Sequence, residues 1–251
     1  MAYLTIFHWG MMLSATYTYG SKIDYSGDGS VLFSNIRQAP GTPLHYWQNL
    51  HLGDTVQPHD QFPLLKRGQT YAFQMSAQVD PEDSVAVNIV FLDDNNHIID
   101  QHLVQSLTGS FTMPEIVDSY RIELLNINNK QLHFFAFYLS EIDAMRSLEI
   151  EELLSGNLLH VHDYTKPVGR EMVVLRHRVP TEIIDLGEVS DQYYLRVPAR
   201  ILDNDDGLHK LMADAYRVLH LNNASDLNWR AMTSETEKAM HIFQNFFRDE
   251  K

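Results

Sequence analysis

Cysteine is absent from the 251-residue sequence, which excludes disulfide bonds, thiolate nucleophiles and thiolate metal ligands. Basic residues are also scarce: 19 Lys and Arg stand against 33 Asp and Glu, for a formal net charge of −14. Because such a surface repels phosphate groups, we expect neither general nucleic-acid binding nor docking on an anionic membrane. No apolar run reaches the roughly 20 residues that span a bilayer, so we expect no direct membrane insertion.

The apolar N-terminal stretch, residues 1–13, lacks the basic start of a secretory signal peptide. The first basic residue is Lys22, and His8 and Trp9 interrupt the apolar run. Together with the absence of cysteine, this pattern predicts a cytoplasmic protein.

Sequence signatures of catalysis are missing as well. There is no Gly-x-Ser-x-Gly nucleophile motif, and the Gly-x-Gly at residues 27–29 precedes no helix that would bind phosphate. Adjacent carboxylates, such as those at 93–94 and 151–152, cannot face each other in a regular element. We therefore expect no enzyme activity, no catalytic residue and no cofactor.

Up to about residue 145, apolar and polar side chains alternate with a period of two, which is typical of strands with one buried face. The longest alternating runs are residues 71–79, 85–92 and 132–142. Residues 16–19 alternate too, and in the last long run Phe135, Phe137 and Leu139 fall on one side. The pattern predicts an antiparallel β-sandwich of the jelly-roll type over residues 1–145.

Turn-forming residues separate these runs at positions 27–29, 93–96 and 126–129. We expect the first two to close hairpins and the third to join the last two long strands. Asp24, Ser26 and Asp28 also imitate the front of a calcium-binding loop, whose twelfth position here is Asn35 instead of Glu. We therefore expect a plain turn here, and calcium binding stays open as an alternative.

The pattern changes near residue 145, which predicts a boundary between the sandwich and a mixed α/β extension over residues 146–251. The elements expected in the extension are a short helix over 145–154, strands over 172–179 and 193–197, a helix capped by Asp205 or Asp206, and a helix over 234–248. Ser234 and Glu237 have the spacing of a capping box for the last helix.

The last predicted helix is amphipathic. Its apolar stripe consists of Ala239, Ile242, Phe243, Phe246 and Phe247. If the three Phe side chains stayed in water, each would lose about 1.5–3 kcal/mol of stabilisation from burial. We therefore expect the stripe to be buried, on the extension itself in preference to a partner groove.

Several segments of the first part resemble one known family. They are Pro63–Tyr71, Ala77–Ser84, Tyr120–Asn126 and Leu139–Ile142, with Val31–Phe33 and Leu44–Trp47 upstream. Together they resemble the third accessory secretory protein of the bacterial accessory Sec system, over roughly residues 14–145.

The resemblance implies a fold similar to that of carbohydrate-binding modules. It also implies work in the cytosol with two sister accessory proteins and an accessory SecA ATPase, which together help to export serine-rich, glycosylated adhesins. No catalytic residue is associated with this subunit. The function implied is therefore that of a non-catalytic interaction subunit of a secretion complex.

A free-standing carbohydrate-binding module is the alternative function, and Trp47, Tyr46, Tyr17 and Tyr19 are its candidate stacking rings. Tyr46 and Trp47 would point to opposite faces of a strand, which would expose one of them. We expect weak or no sugar binding, with Trp47 the first ring to test. A third hypothesis, a small enzyme within residues 146–251, has no motif in its favour.

His160 and His162 lie two residues apart, so both imidazoles would point to one side of a strand. Zinc requires a third or fourth ligand, and the sequence pattern places none beside this pair. We therefore expect a hydrogen-bonded surface pair and no bound metal.

Overall fold

The computed structural model describes residues 2–10, 13–27, 29–48, 62–93, 95–117, 119–176, 181–219 and 227–249. The chain forms two compact units. The first comprises Met1–Met145 and Val179–Asp185, and the second comprises Arg146–Arg178 and Leu186–Lys251. The sequence pattern also changes at residue 145, where the chain first passes from one unit to the other.

The elements follow one another along the chain. They are β1 (Tyr3–Phe7), β2 (Lys22–Tyr25), β3 (Val31–Ser34), β4 (Pro43–Gln48), β5 (Thr70–Asp80), β6 (Val85–Leu92), β7 (Ile98–Val104), β8 (Thr108–Thr112), β9 (Ser119–Asn126), β10 (Gln131–Glu141), α1 (Ile142–Met145), β11 (Leu148–Leu153), β12 (Leu158–Asp163), β13 (Arg170–Arg176), β14 (Thr181–Asp185), β15 (Asp191–Val197), α2 (Asp205–Leu219), β16 (Leu227–Ala231) and α3 (Ser234–Asp249).

The first unit is a β-sandwich of two antiparallel sheets. One sheet has the order β14-β1-β10-β3-β2, with β5 on the other side of β10 and β8 beyond β5. The second sheet has the order β4-β9-β6-β7. The three long runs predicted from the sequence form β5, β6 and β10, so the predicted β-sandwich is confirmed.

Apolar side chains from both sheets form the core of the sandwich. Phe73 and Phe137 from the first sheet stack with ring centroids 5.2 Å apart, and Ile89 and Ile122 from the second sheet belong to the same buried cluster. Burying each such side chain stabilises the fold by about 1.5–3 kcal/mol. The core thus depends on the period-two alternation that is visible in the sequence.

A β-bulge in β10 changes one predicted face. The register with β5 shifts between Phe134 and Ala136, so Phe135 is the extra residue. Phe134 therefore joins Phe137 and Leu139 in the core, while Phe135 is half-buried and packs against His133. The prediction that Phe135 shares a face with Phe137 is wrong because strict alternation does not continue across a bulge.

Residues 126–129 join the last two long strands, as predicted, whereas residues 16–19 do not form the strand that their alternation indicates. Residues 126–129 carry the chain from β9 in one sheet to β10 in the other, so they form a crossover between sheets. The crossover is fixed by Asn129, whose backbone N–H donates to Asn126 Oδ1 at 2.7 Å and whose side chain donates to Ser84 Oγ at 2.8 Å. Residues 16–19 form no strand, since only Thr16 makes a β-bridge, to His45.

Strand β14 belongs to the first unit, although the sequence pattern placed it in the extension. It pairs with β1 along its whole length, from Thr181 opposite Phe7 to Asp185 opposite Tyr3. Ile184 is buried in this position.

The second unit is a five-stranded sheet with two helices. The order is β11-β12-β15-β13-β16, in which β13 runs parallel to both β15 and β16. Its core is a second cluster that includes Leu158, Val174 and Leu195 from the strands and Met212 and Phe243 from the helices. Among the described residues, no helix combines the length and apolar character that crossing a membrane requires.

The prediction of a helix over residues 145–154 is wrong. Helix α1 ends at Met145, and the segment that follows forms strand β11, antiparallel to β12. Along β11, the exposed side chains of Glu149 and Glu151 alternate with half-buried side chains, those of Leu148, Ile150 and Glu152. This is a strand pattern, but over so few residues it is hard to distinguish from a helix.

The residues that cap the N-termini of the two long helices lie slightly earlier in the chain than the predicted ones. Asn204 caps α2, because its Oδ1 accepts the backbone N–H of Gly207 at 3.2 Å. Thr233 precedes α3, and its backbone N–H donates to Thr236 Oγ1 at 3.2 Å. This Thr pair takes the place predicted for Ser234 and Glu237, one residue earlier in the chain.

Candidate functional site

Strand β7 lies at an edge of the four-stranded sheet and pairs only with β6 among the described residues. The pairing runs from Val104, opposite Val87, to Ile98, opposite Leu92. One side of the β7 backbone is therefore hydrogen-bonded to β6, while the N–H and C=O groups of the other side point away from the sheet. An edge of this kind is a template for a strand from another chain.

The side chains of β7 are exposed on both faces of the strand. Ile98 exposes 58% of its surface and Leu103 exposes 56%, and Ile99 between them is exposed as well. By contrast, all eight residues of the neighbouring strand β6 are buried. Because large apolar side chains on an exposed edge favour association with other proteins, β7 is the strongest candidate for a protein contact surface.

The turn before β7 is held by Asp93. Its Oδ1 accepts the backbone N–H of His97 at 2.7 Å and that of Asn95 at 2.9 Å. The hydrogen bond from the backbone of His97 is the largest cause that lowers the pKa of the Asp93 carboxyl group below its ordinary value. The carboxylate thus fixes where β7 starts.

A row of polar side chains crosses the outer face of the same sheet, next to β7. Asn88 donates to Glu123 Oε2 at 2.9 Å, and Glu123 Oε1 lies 2.6 Å from Arg121 Nη2. The guanidinium of Arg121 lies over the ring of Tyr46, 5.6 Å from its centroid. At the other end of the row, Gln101 of β7 lies 3.5 Å from Asn88. These polar contacts link β7 to the centre of its sheet.

A cleft of about 310 Å³ opens in the first unit beneath the segment Pro63–Lys66, with walls from β1, β10 and β14. Tyr120 Oη donates to the carbonyl of Pro63 at 3.0 Å, and Tyr71 Oη accepts the N–H of Lys66 at 2.9 Å. Burial, and then the proximity of Tyr71, raise the pKa of Tyr120 well above its ordinary value. Tyr120 therefore stays protonated, and the hydrogen bonds of Tyr120 and Tyr71 hold this segment in place.

The four candidate stacking rings occupy different environments. Trp47 exposes only 7% of its surface, and its Nε1 donates to the carbonyl of His8 at 2.7 Å. Its ring faces pack inside the core, so Trp47 offers no surface on which a sugar could stack. Tyr46 lies under Arg121 and Tyr17 is half-buried, whereas Tyr19 exposes 84% of its surface.

The residues that imitate a calcium loop lie in and after β2. Asp24 is exposed, and its carboxylate pairs with Lys22 at 3.1 Å. The backbone of Ser26 closes the turn, since its carbonyl accepts the N–H of Gly29 at 3.0 Å. Asp28 lies outside the described residues.

The apolar stripe of α3 packs on the second unit. Phe243 is fully buried, and Ile242 and Phe246 are partly buried against the same core. The ring of Phe246 meets that of Tyr216 from α2 at 6.3 Å. The side chain of Phe247 lies outside the described residues.

His160 and His162 point to one side of β12, as their spacing predicts, and each contacts the carboxylate of Asp191 on β15. Sequence reasoning missed Asp191, which is about 30 residues away in the chain. Nothing in the local pattern indicates that β15 lies beside β12.

Comparison with known proteins places this fold in a family. The family model described as "Accessory Sec secretory system ASP3" matches residues 16–141, half of the chain. The chain belongs to this family. The matched residues extend from the approach to β2 to the end of β10 and include β7 and the segment Pro63–Lys66. The recognition of this family from the sequence is confirmed.

Two curated relatives carry the same family name. The relative from Streptococcus gordonii is 33% identical over 129 residues, which cover 51% of this chain and 80% of the relative. The relative from Staphylococcus aureus (strain NCTC 8325 / PS 47) is 27% identical over 145 residues, which cover 58% of this chain and 45% of the relative.

Two solved structures of protein complexes contain chains that are similar to this one. A crystal structure of accessory secretory proteins 1, 2 and 3 from Streptococcus pneumoniae matches with a TM-score of 0.50 and 32% identity, over 54% of this chain and 94% of that chain. The glycosylation associate protein (Gap123) complex from Streptococcus agalactiae matches with a TM-score of 0.54 and 19% identity, over 98% of this chain and 76% of that chain. At that identity the second match shows similarity of fold alone.

Proposed function

We propose that this protein is a non-catalytic interaction subunit of an accessory Sec secretion complex. The observation that carries the proposal is the family match over residues 16–141. The likeness of the first unit to a chain in the structure of accessory secretory proteins 1, 2 and 3 supports sister accessory proteins as its direct partners.

In this proposal the subunit works in the cytoplasm with two sister accessory proteins and an accessory SecA ATPase. The complex assists the export of serine-rich, glycosylated adhesins. The net charge of −14 is consistent with protein partners, because an acidic surface disfavours both nucleic acid and anionic membranes.

The contact with a sister protein is proposed to lie on strand β7. Its free edge offers backbone hydrogen bonds, and Ile98, Ile99 and Leu103 offer apolar area to the same partner. The main-chain bonds would give affinity, while the pockets that receive the three side chains would give specificity. Burial of Ile98 and Leu103 alone would contribute about 1.5–3 kcal/mol each before the costs of association.

The test is co-purification with the two sister accessory proteins after co-expression. We expect the double variant Ile98→Lys, Leu103→Lys to lose the complex, because two charges would be buried at the contact. The matched control is Ile36→Lys in the same unit, since Ile36 exposes 82% of its surface and lies in a turn outside β7. Both variants should keep the circular dichroism spectrum and melting temperature of the parent chain.

The outcomes separate the docking site from the function. If the double variant and the control both co-purify normally, the contact lies elsewhere and the assignment to β7 is wrong. If the unaltered chain fails to co-purify with its sister proteins under any condition that keeps all three folded, the proposed function itself is contradicted.

A further inference from the structure

The second unit contains a cluster of two histidines and one aspartate that its fold brings together. His160 and His162 lie on the same side of β12, and Asp191 starts the neighbouring strand β15. In the register of this antiparallel pair, Asp191 lies directly opposite His162. Residues directly opposite one another share a face, so all three side chains project from one surface of the sheet.

A single carboxylate oxygen joins the two imidazoles. Asp191 Oδ1 lies 3.1 Å from His160 Nε2 and 2.9 Å from His162 Nδ1. All three potential ligand atoms lie within 4.8 Å of one another. Each side chain keeps between 23% and 28% of its area accessible, so an ion could enter from solvent.

Neighbouring groups hold the three side chains in these orientations. The ring of Tyr193 stacks on His160 with centroids 4.6 Å apart and planes inclined by 15°. Tyr164 packs edge-on against His162 at 4.5 Å. Ser190 Oγ donates to the second oxygen of Asp191, Oδ2, at 2.9 Å. The rings and the carboxylate are therefore oriented before any ligand binds.

The other nitrogen of His160 faces a carboxylate. Glu151, opposite His160 on β11, places Oε2 4.0 Å from His160 Nδ1. A carboxylate that accepts a hydrogen bond from a ligating imidazole fixes its tautomer and raises its basicity, and Glu151 would need to approach His160 by about 1 Å to form this bond. Glu149, opposite His162 on the same strand, adds further negative charge beside the cluster.

We propose that His160, His162 and Asp191 form a binding site for a divalent zinc ion. Zinc takes imidazole nitrogen and carboxylate oxygen at about 2.0–2.2 Å, which separates the ligands of a tetrahedral site by about 3.3 Å. The separations of 2.9 and 3.1 Å from Asp191 Oδ1 need to widen by only a few tenths of an ångström, and the two imidazole nitrogens, which lie within 4.8 Å of each other, need to reach the same spacing. Three protein ligands leave a fourth position open to water or to a partner group.

The test is zinc binding by the full chain after removal of metal with a chelator. We expect zinc titration against a chromophoric competitor to give a site that is weakened at least about tenfold by His162→Ala and by Asp191→Asn. The matched control is His97→Ala, because His97 and Asp93 form an exposed pair of the same residue types at 3.2 Å in the first unit. The control should bind zinc as the unaltered chain does.

Cobalt gives a second readout, since Co²⁺ in a tetrahedral site absorbs strongly in the visible range. We expect this band in the cobalt-loaded chain and its loss in Asp191→Asn, which preserves the shape of the side chain and so decides the matter if His162→Ala misfolds. The proposal is overturned if Asp191→Asn binds zinc as tightly as the unaltered chain, or if His97→Ala weakens binding as much as the two cluster variants do.

Discussion

Thr16 Oγ1 and His45 Nδ1 lie 2.8 Å apart inside the core of the sandwich, and this hydrogen bond joins the N-terminal segment to strand β4. The same hydroxyl accepts the indole N–H of Trp9 at 3.1 Å. Trp9 also stacks on the ring of His45 with centroids 4.5 Å apart. Since all three residues are buried, one hydroxyl satisfies two polar groups that water does not reach.

Replacing Thr16 by Val should therefore destabilise the first unit. The substitution preserves the shape of the side chain but leaves Trp9 Nε1 and His45 Nδ1 without this partner, and we expect the free energy of unfolding to fall by about 1–3 kcal/mol. Denaturant unfolding followed by tryptophan fluorescence measures the change. Thr18→Val, at an exposed position two residues on, should have almost no effect, and an equal loss in both variants would contradict the account.

The protonation of His45 makes stability depend on pH. Complete burial lowers the pKa of His45 to about 3 in the folded protein, against about 6.5 in an unfolded chain. Between these values the unfolded chain binds one more proton than the folded protein, so stability is lost as pH falls below 6.5. The loss from this residue should reach at most about 1.4 kcal/mol per pH unit.

Nuclear magnetic resonance of the His45 ring gives the direct measurement. We expect its chemical shifts to stay constant as the pH falls from 8 to 5, because the ring remains neutral. A titration of His45 centred between pH 6 and 7 in the folded protein would show that the imidazole is not shielded from water as the structure requires.

Phe243 should be a core residue of the second unit. Its side chain is fully buried between α3 and the sheet, so Phe243→Ala should lower the free energy of unfolding by about 3–5 kcal/mol. The control is Asn245→Ala on the exposed side of the same helix, which should change it little. If Phe243→Ala kept full stability and instead released a partner protein, the helix would be a docking element.

Sugar binding by the isolated chain should be weak or absent. Trp47 is occupied by core packing, which leaves Tyr19 as the most exposed of the four candidate rings. We expect oligosaccharide titrations to show no micromolar binding and Tyr19→Ala to change nothing. Micromolar binding to a defined oligosaccharide that Tyr19→Ala abolishes would favour the carbohydrate-binding module as the function.

The sandwich was predictable from the sequence because its strands bury one face each. β5 shows this most clearly, since Tyr71, Phe73 and Met75 alternate with partly exposed residues. The position of Phe134 was not predictable, because a bulge is set by the pairing with β5 and leaves no mark in the alternation. β14 was missed for a related reason: its partner, β1, is about 180 residues away in the chain.

The candidate site was less visible in the sequence than the fold. Ile98 and Ile99 are adjacent and Leu103 and Val104 are adjacent, so β7 breaks the period-two pattern. Nothing in this local pattern indicates that both faces of the strand are exposed, because adjacent apolar residues also occur in strands that are buried on both faces. Asp191 gave no sign at all, because its place beside His162 depends on the order of strands in the second sheet. Local patterns predict elements, whereas sites depend on which elements become neighbours.

Amide hydrogen exchange of residues 98–104, measured for the free chain and for its complex with the two sister accessory proteins, tests the central claim most directly. In the free chain the edge-facing amides of β7 should exchange quickly, since they lack a partner strand. On assembly we expect these amides to slow at least about tenfold, because a hydrogen-bonded, buried amide exchanges only when the contact opens. A complex that forms while exchange in β7 stays unchanged, with protection appearing elsewhere on the first unit, would contradict the account.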